Sequence, residues 1–249
     1  MILVSDERRV ALVPRRTADI PWLILPDLLL AAIVLAAAAG GLRLSLDLPA
    51  GVLPLALLAY AAMAVMLWRL CGNRPLTPAD RVTMGRGLLV MLLIGLLPAA
   101  GGLREEPVLP FALALTAVLL DGLDGFVARR LHCVTQAGAR FDMELDAVLL
   151  LVLCLWLVQL GLAGPWVLGI GAWRYVFVLA GRLRPQLRRP LAPSQRRRVI
   201  CGIQGVGLAI CLAPGFPPAW VPPLAAALLA LLSYSFLVDA AASWQVQKN

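Results

Sequence analysis

The sequence predicts an all-α fold, a polytopic membrane bundle of about eight spans, on three observations. Apolar side chains make up 61% of the 249 residues and charged ones 14%, against about 45–50% and 25% in soluble domains. The mean hydropathy is +0.87, and the apolar residues are gathered into runs long enough to cross a bilayer. Basic residues fall almost entirely on one side of those runs. Neither a disordered chain nor a soluble domain could carry this much Leu, Ala and Val.

Each span needs about 20 residues at 1.5 Å rise per residue. In chain order the candidates lie at about 20–40, 50–68, 86–103, 107–128, 142–162, 164–182, 199–213 and 218–238. The first has an apolar run too long for a secretory signal and about 19 residues ahead of it, so it reads as a span. The seventh is short and Gly-rich. A polar stretch at 69–85 divides the chain into an N-terminal extension with two spans, 1–74, and a six-span core, 75–249. Within that stretch, Thr77-Pro78-Ala79-Asp80 has the residues of a helix start: Thr as N-cap, Pro at the first helical position, Asp in the first turn. A short helix on the cytoplasmic surface is expected there, ahead of the third span.

The net charge of +8 would suggest nucleic acid in a soluble chain. In a membrane chain it reads as the positive-inside bias of cytoplasmic loops, and no nucleic-acid partner is expected. With the N-terminus inside, 19 basic residues lie on the cytoplasmic side, against Arg43 and Arg104 opposite and Arg174 within a span. Both termini are therefore expected in the cytoplasm, in an integral membrane protein of the bacterial inner membrane. The five cysteines have no CxxC spacing and read as small core residues.

Five of the 14 acidic residues fall between positions 121 and 146. Asp121 and Asp124 are three apart near the inner end of the fourth span; Asp142 and Asp146 are four apart at the start of the fifth. Those spacings put each pair on one helix face, and a tight antiparallel hairpin would bring all four carboxylates to similar depth. Each intramembrane Asp costs about 2.5–3.5 kcal/mol on insertion scales, so a cationic partner is required. Divalent metal suits clustered carboxylate oxygens, and four carboxylates can hold two ions. The alternative is a structural network with Arg129, Arg130 and Arg140. Gly125, Ala128 and Gly138 form a small-residue stripe beside the acids, suited to a close-lying ligand or simply to helix packing.

The run Asp121-Gly122-Leu123-Asp124-Gly125-Phe126-Val127-Ala128-Arg129, followed after eight residues by Gly138, then Asp142 and Asp146, resembles the CDP-alcohol phosphotransferase (CDP-alcohol phosphatidyltransferase) signature. All eight signature positions carry the expected residue. The resemblance spans about residues 75–238 and leaves the first two spans outside it. It implies two divalent ions, Mg2+ or Mn2+, held by Asp121, Asp124, Asp142 and Asp146. Asp146 would also act as the general base on an acceptor hydroxyl. Gly125, Ala128, Arg129 and Gly138 would contact the cytidine nucleotide.

Thr83 and Arg86 resemble the family's Thr and Arg at the start of the core. Asp80 departs from the Asn usual three residues before that Thr. Arg174, inside the sixth span, needs a partner and is a candidate for acceptor phosphate or for one of the aspartates. Pro193-Ser194-Gln195-Arg196-Arg197-Arg198 resembles the family's PSxxGK segment, with Arg198 at the phosphate-binding Lys; the same basic loop could instead attract anionic lipid. His132, alone in its turn, reads as solvated.

The activity implied is transfer of a phosphatidyl group from CDP-diacylglycerol to a small alcohol acceptor, with release of CMP, among membrane lipids and with a homodimer left open. A divalent-cation or proton-coupled transporter is the competing class. Its pathway would need polar groups at several depths, whereas these acids share one end. No Lys or Arg follows Asp146 closely, so the acceptor is not chosen.

Overall fold

In the computed structural model, which describes residues 23–72, 74–104, 107–130, 135–183 and 195–245, each expected span overlaps an α-helix. Among the described residues there is no strand and there are eight α-helices: α1 (Leu25–Ser45), α2 (Val52–Cys71), α3 (Pro78–Gly95), α4 (Val108–Arg130), α5 (Gln136–Gln159), α6 (Leu168–Leu183), α7 (Gln195–Cys211) and α8 (Val221–Gln245). This is a polytopic helical membrane protein. Leu25–Ser45, Val52–Cys71 and Pro218–Val238 are long and apolar enough to cross a membrane, and Val108–Gly122 and Val199–Cys211 are shorter apolar stretches. Leu30, Ile33 and Leu58 remain more than 60% exposed, as side chains facing lipid would.

Local chemistry sets the helix ends. Thr77 caps α3 through a capping box: its hydroxyl accepts from the Asp80 N–H at 3.2 Å, and the Asp80 carboxylate accepts from the Thr77 N–H at 2.9 Å. Thr135 caps α5 by accepting from the Gly138 N–H at 3.0 Å. The expected surface helix and third span prove to be one continuous helix, because nothing between Asp80 and Gly95 interrupts the hydrogen-bond ladder. That helix ends at Gly95, short of position 103. Pro98 lacks a donor and disfavours helical backbone at Leu97, so the chain passes into a 3-10 turn at Leu97–Ala99.

Helix α3 is the hub. Helices α1, α2, α4 and α5 pack on it, α7 lies against both α4 and α5, and α8 backs α6 and α7. Trp156 of α5 is fully buried and donates its indole N–H to the Leu93 carbonyl at 3.1 Å, bracing α5 to α3. The N-terminal pair is seated on the core by close approach. A Cβ on Gly95 would lie 2.6 Å from the Ala56 side chain and 2.9 Å from the Val52 carbonyl, so α2 reaches α3 only because position 95 is Gly. At the opposite end of the pair, Arg81 of α3 meets Asp27 of α1 at 3.2 Å.

Candidate functional site

The carboxylates converge. Asp121 from α4 and Asp142 and Asp146 from α5 each offer an oxygen, and the three oxygens lie within 4.8 Å of one another. The four-residue spacing on α5 stacks its two aspartates one turn apart on one face, and Asp121 approaches from the facing helix. Convergence does not require the expected tight hairpin. Among the described residues α4 and α5 share little direct contact; both pack on α3 and α7, and the acids meet across the space between. A side chain of α3 fills part of that space.

That side chain is Arg86, which is fully buried. Its guanidinium donates to Asp121 from one terminal nitrogen, and from the other to Asp142 at 2.5 Å, with Asp146 at 3.1 Å. An Asp–Arg network is therefore present, built on an arginine from α3. One guanidinium opposite three carboxylates leaves an excess of two negative charges when all are ionised. Repulsion among acids a few ångströms apart is severe at this depth, so the cluster calls for further positive charge. Hard carboxylate oxygens from two helices are the donor set a divalent cation prefers, and the residues present fit such an ion.

The neighbouring candidates are distributed around this cluster. Thr83 is buried on α3 and donates to the Ala79 carbonyl at 3.1 Å. Gly138 lies two turns before Asp146, where α3 and α5 touch. A Cβ there would run into the Asp80 carboxylate and come within 2.9 Å of the Thr135 hydroxyl. Position 138 thus has to be Gly to let the two helix starts meet. Asp124, Gly125, Ala128 and Arg129 lie on α4, Arg174 on α6 and Arg198 on α7, and their side chains are outside the described residues. His132 and Cys133 also lie outside the described residues.

A small, shallow cleft, open to the outside, reaches the acids from between α4, α5 and α7. Asp121 and Asp146 form its polar end; Val118, Leu149, Leu150, Cys201, Gly202 and Gly205 form its apolar wall. The α7 residues went unrecognised in the sequence. Their signal was the Gly-rich character of the seventh run: Gly202 and Gly205 are three apart, on the helix face that leaves the cleft open. The arrangement joins a charged, oxygen-rich end to an apolar flank, which suits a phosphorylated amphiphile.

The sequence model of the family described as CDP-alcohol phosphatidyltransferase matches residues 76–239, more than half of the chain. No curated protein and no solved structure gives a significant match. The family is one of membrane transferases for phosphate-containing groups in phospholipid synthesis, which take CDP-alcohol substrates and use divalent metal. The family match runs over α3 to α8 and takes in α4 and α5, the helices that carry the acidic cluster, and the chain belongs to the CDP-alcohol phosphatidyltransferase family.

Proposed function

We propose that the protein transfers a phosphatidyl group from CDP-diacylglycerol to a small hydroxylated acceptor and releases CMP. The observation that carries this reading is the convergence of Asp121, Asp142 and Asp146 at the polar end of a cleft with an apolar wall. A diphosphate lipid needs both environments at once. Asp121, Asp124, Asp142 and Asp146 would hold two Mg2+ or Mn2+ ions, which supply charge neutralisation of the diphosphate and of the departing CMP.

The chain's own residues then divide the work. Asp146 accepts the proton of the acceptor hydroxyl as the alcohol oxygen attacks the phosphatidyl phosphorus. The bond from that phosphorus to the oxygen bridging it to CMP breaks, and CMP leaves with the bridging oxygen. Gly125, Ala128, Arg129 and Gly138, with Thr83 and Arg86, border the nucleotide; Arg174 and Arg198 are assigned to phosphate. Residues 75–249 form the transferase core and residues 1–74 an extension.

The test is CMP release by purified protein from CDP-diacylglycerol against a panel of alcohols, phosphorylated and not. One acceptor should raise CMP release well above the rate in water. A uniform background across the panel, or equal use of a soluble CDP-alcohol with diacylglycerol, would reject this direction of transfer.

Orientation in the bacterial inner membrane is proposed from the 19-to-2 asymmetry of basic residues, with both termini cytoplasmic. Cysteines placed at the exposed positions Ser45 and Gly101 should react with an impermeant maleimide from the outside of intact cells. Reaction at either position only after the cytoplasm is opened would reverse the topology.

A further inference from the structure

Arg74 lies between α2 and α3, just ahead of the family-matched segment, which begins at residue 76. Its guanidinium is half-buried and makes four hydrogen bonds, one of them local, to the Pro75 carbonyl at 3.5 Å. One terminal nitrogen donates to the Asp80 carboxylate at 2.9 Å. The other donates to the Thr135 hydroxyl at 3.1 Å and to the Cys71 thiol at 3.3 Å. Asp80 is the reciprocal partner of Thr77 in the capping box of α3, and Thr135 is the N-cap of α5. Each cap satisfies its own helix without help from the other. Beyond the direct packing of Asp80 on Gly138, the hydrogen-bonded link between the two is Arg74, anchored in turn on the last residue of α2.

The register of α3 against α5 matters for the acidic cluster. Arg86 is six residues beyond Asp80, about 9 Å along α3, and Asp142 is four beyond Gly138, about 6 Å along α5. Sliding one cap past the other shifts Arg86 relative to Asp142 and Asp146 by the same amount. Asp80 and Gly138 leave little room to slide, because the Asp80 carboxylate occupies the space a Gly138 side chain would fill. Asp80 is only 2% exposed, so its charge also depends on the Arg74 partner.

We propose that Arg74 is a positioning residue: by bridging the caps of α3 and α5 it fixes the register in which Arg86, Asp142 and Asp146 meet. The transfer site thereby depends on the N-terminal helical pair. The link to turnover rests on the function proposed above; the link to register does not.

The experiment therefore reads both. Spin labels on Gly85→Cys and Ala139→Cys, at exposed positions of α3 and α5, report the interhelical distance in a background that retains only Cys71 of the native cysteines. Full-length protein is compared with Arg74→Met, Arg74→Lys and Arg74→Met/Asp80→Asn. The unsubstituted pair should give one narrow distance. Arg74→Met should broaden or shift it and lower kcat/KM for CMP release by about 10- to 100-fold, the scale of an ångström-level misplacement. Lys keeps a charge beside Asp80 but cannot fork to both caps, so Arg74→Lys should fall between the two.

In the double variant, the side-chain amide introduced by Asp80→Asn can still accept from the Thr77 N–H, and no buried charge is left unpaired. Folding should therefore recover while the distance and kcat/KM do not. If Arg74→Met alone fails to fold, this double variant decides the matter. An unchanged distance in Arg74→Met, or full recovery of distance and turnover in the double variant, would overturn the proposal. If the unsubstituted protein releases no CMP from any CDP-linked donor, the functional reading fails, and the distances still decide the role of Arg74.

Discussion

Replacing Asp146 with Asn is expected to lower kcat by about 10²–10⁴-fold, the usual loss for a positioned general base, while CDP-diacylglycerol still binds. Asp146 lies one turn beyond Asp142, about 6 Å along α5. It is the least exposed of the three converging aspartates, at 24% against 36% for Asp142 and 42% for Asp121. It also lines the cleft beside Leu149 and Leu150, where an acceptor hydroxyl can enter. Asp142→Asn should behave differently and weaken metal and CDP-lipid binding together. Turnover and equilibrium binding of CDP-diacylglycerol, measured on both variants, separate the roles. Equal loss of lipid binding would reduce Asp146 to a metal-holding residue. Near-normal turnover would remove it from the mechanism.

A second large effect is expected at Arg86, and it depends on metal. Arg86→Met removes the buried cation that now meets three carboxylates, so the metal-free protein loses its main charge compensation. Breaking a buried ion pair costs about 3–5 kcal/mol, and the partial exposure of Asp121 and Asp142 places this case toward the lower end. Mn2+ or Mg2+ on the same oxygens supplies charge of the same sign. Thermal unfolding in detergent should therefore show a large drop for Arg86→Met in chelator and a much smaller one in saturating Mn2+. An equal drop under both conditions would mean that the aspartates do not hold the ion.

Much of this was legible in the sequence because the bilayer imposes lengths and because helix starts have a local chemistry. Thr77, Pro78 and Asp80 form the expected start through a capping box between neighbours. The stacking of Asp142 and Asp146 was likewise written in their spacing of four, whereas the spacing of three falls on Asp124, whose side chain is outside the described residues. What could not be read was how the helices are shared out in space. The aspartates suggested a hairpin and the nearby arginines suggested its partners. In the structure α3 intervenes and delivers Arg86 from 35 residues before Asp121. No periodicity encodes which helix becomes the hub.

The end of α3 shows the other kind of miss. Apolar residues continue past Gly95, so a hydropathy window runs on to position 103, but Pro98 stops the hydrogen-bond ladder. Asp80 looked like a departure from a nucleotide-contacting Asn. Its partner Arg74 lies in an unpatterned linker, and the bridge to Thr135 spans 61 residues of sequence. The cleft wall on α7 was hidden for a related reason: its glycines mark a surface left open, and openness exists only once α4 and α5 are in place.

In the function proposed above, the clustered aspartates form a divalent-metal centre for phosphatidyl transfer. CMP release from CDP-diacylglycerol by metal-stripped protein, titrated with Mg2+ or Mn2+ in the presence of the best acceptor, tests it most directly. The expected result is no CMP release without metal, full recovery on titration, and little recovery in Asp121→Asn or Asp142→Asn that remain folded. Undiminished CMP release by the stripped protein, or full recovery in those variants, would contradict it.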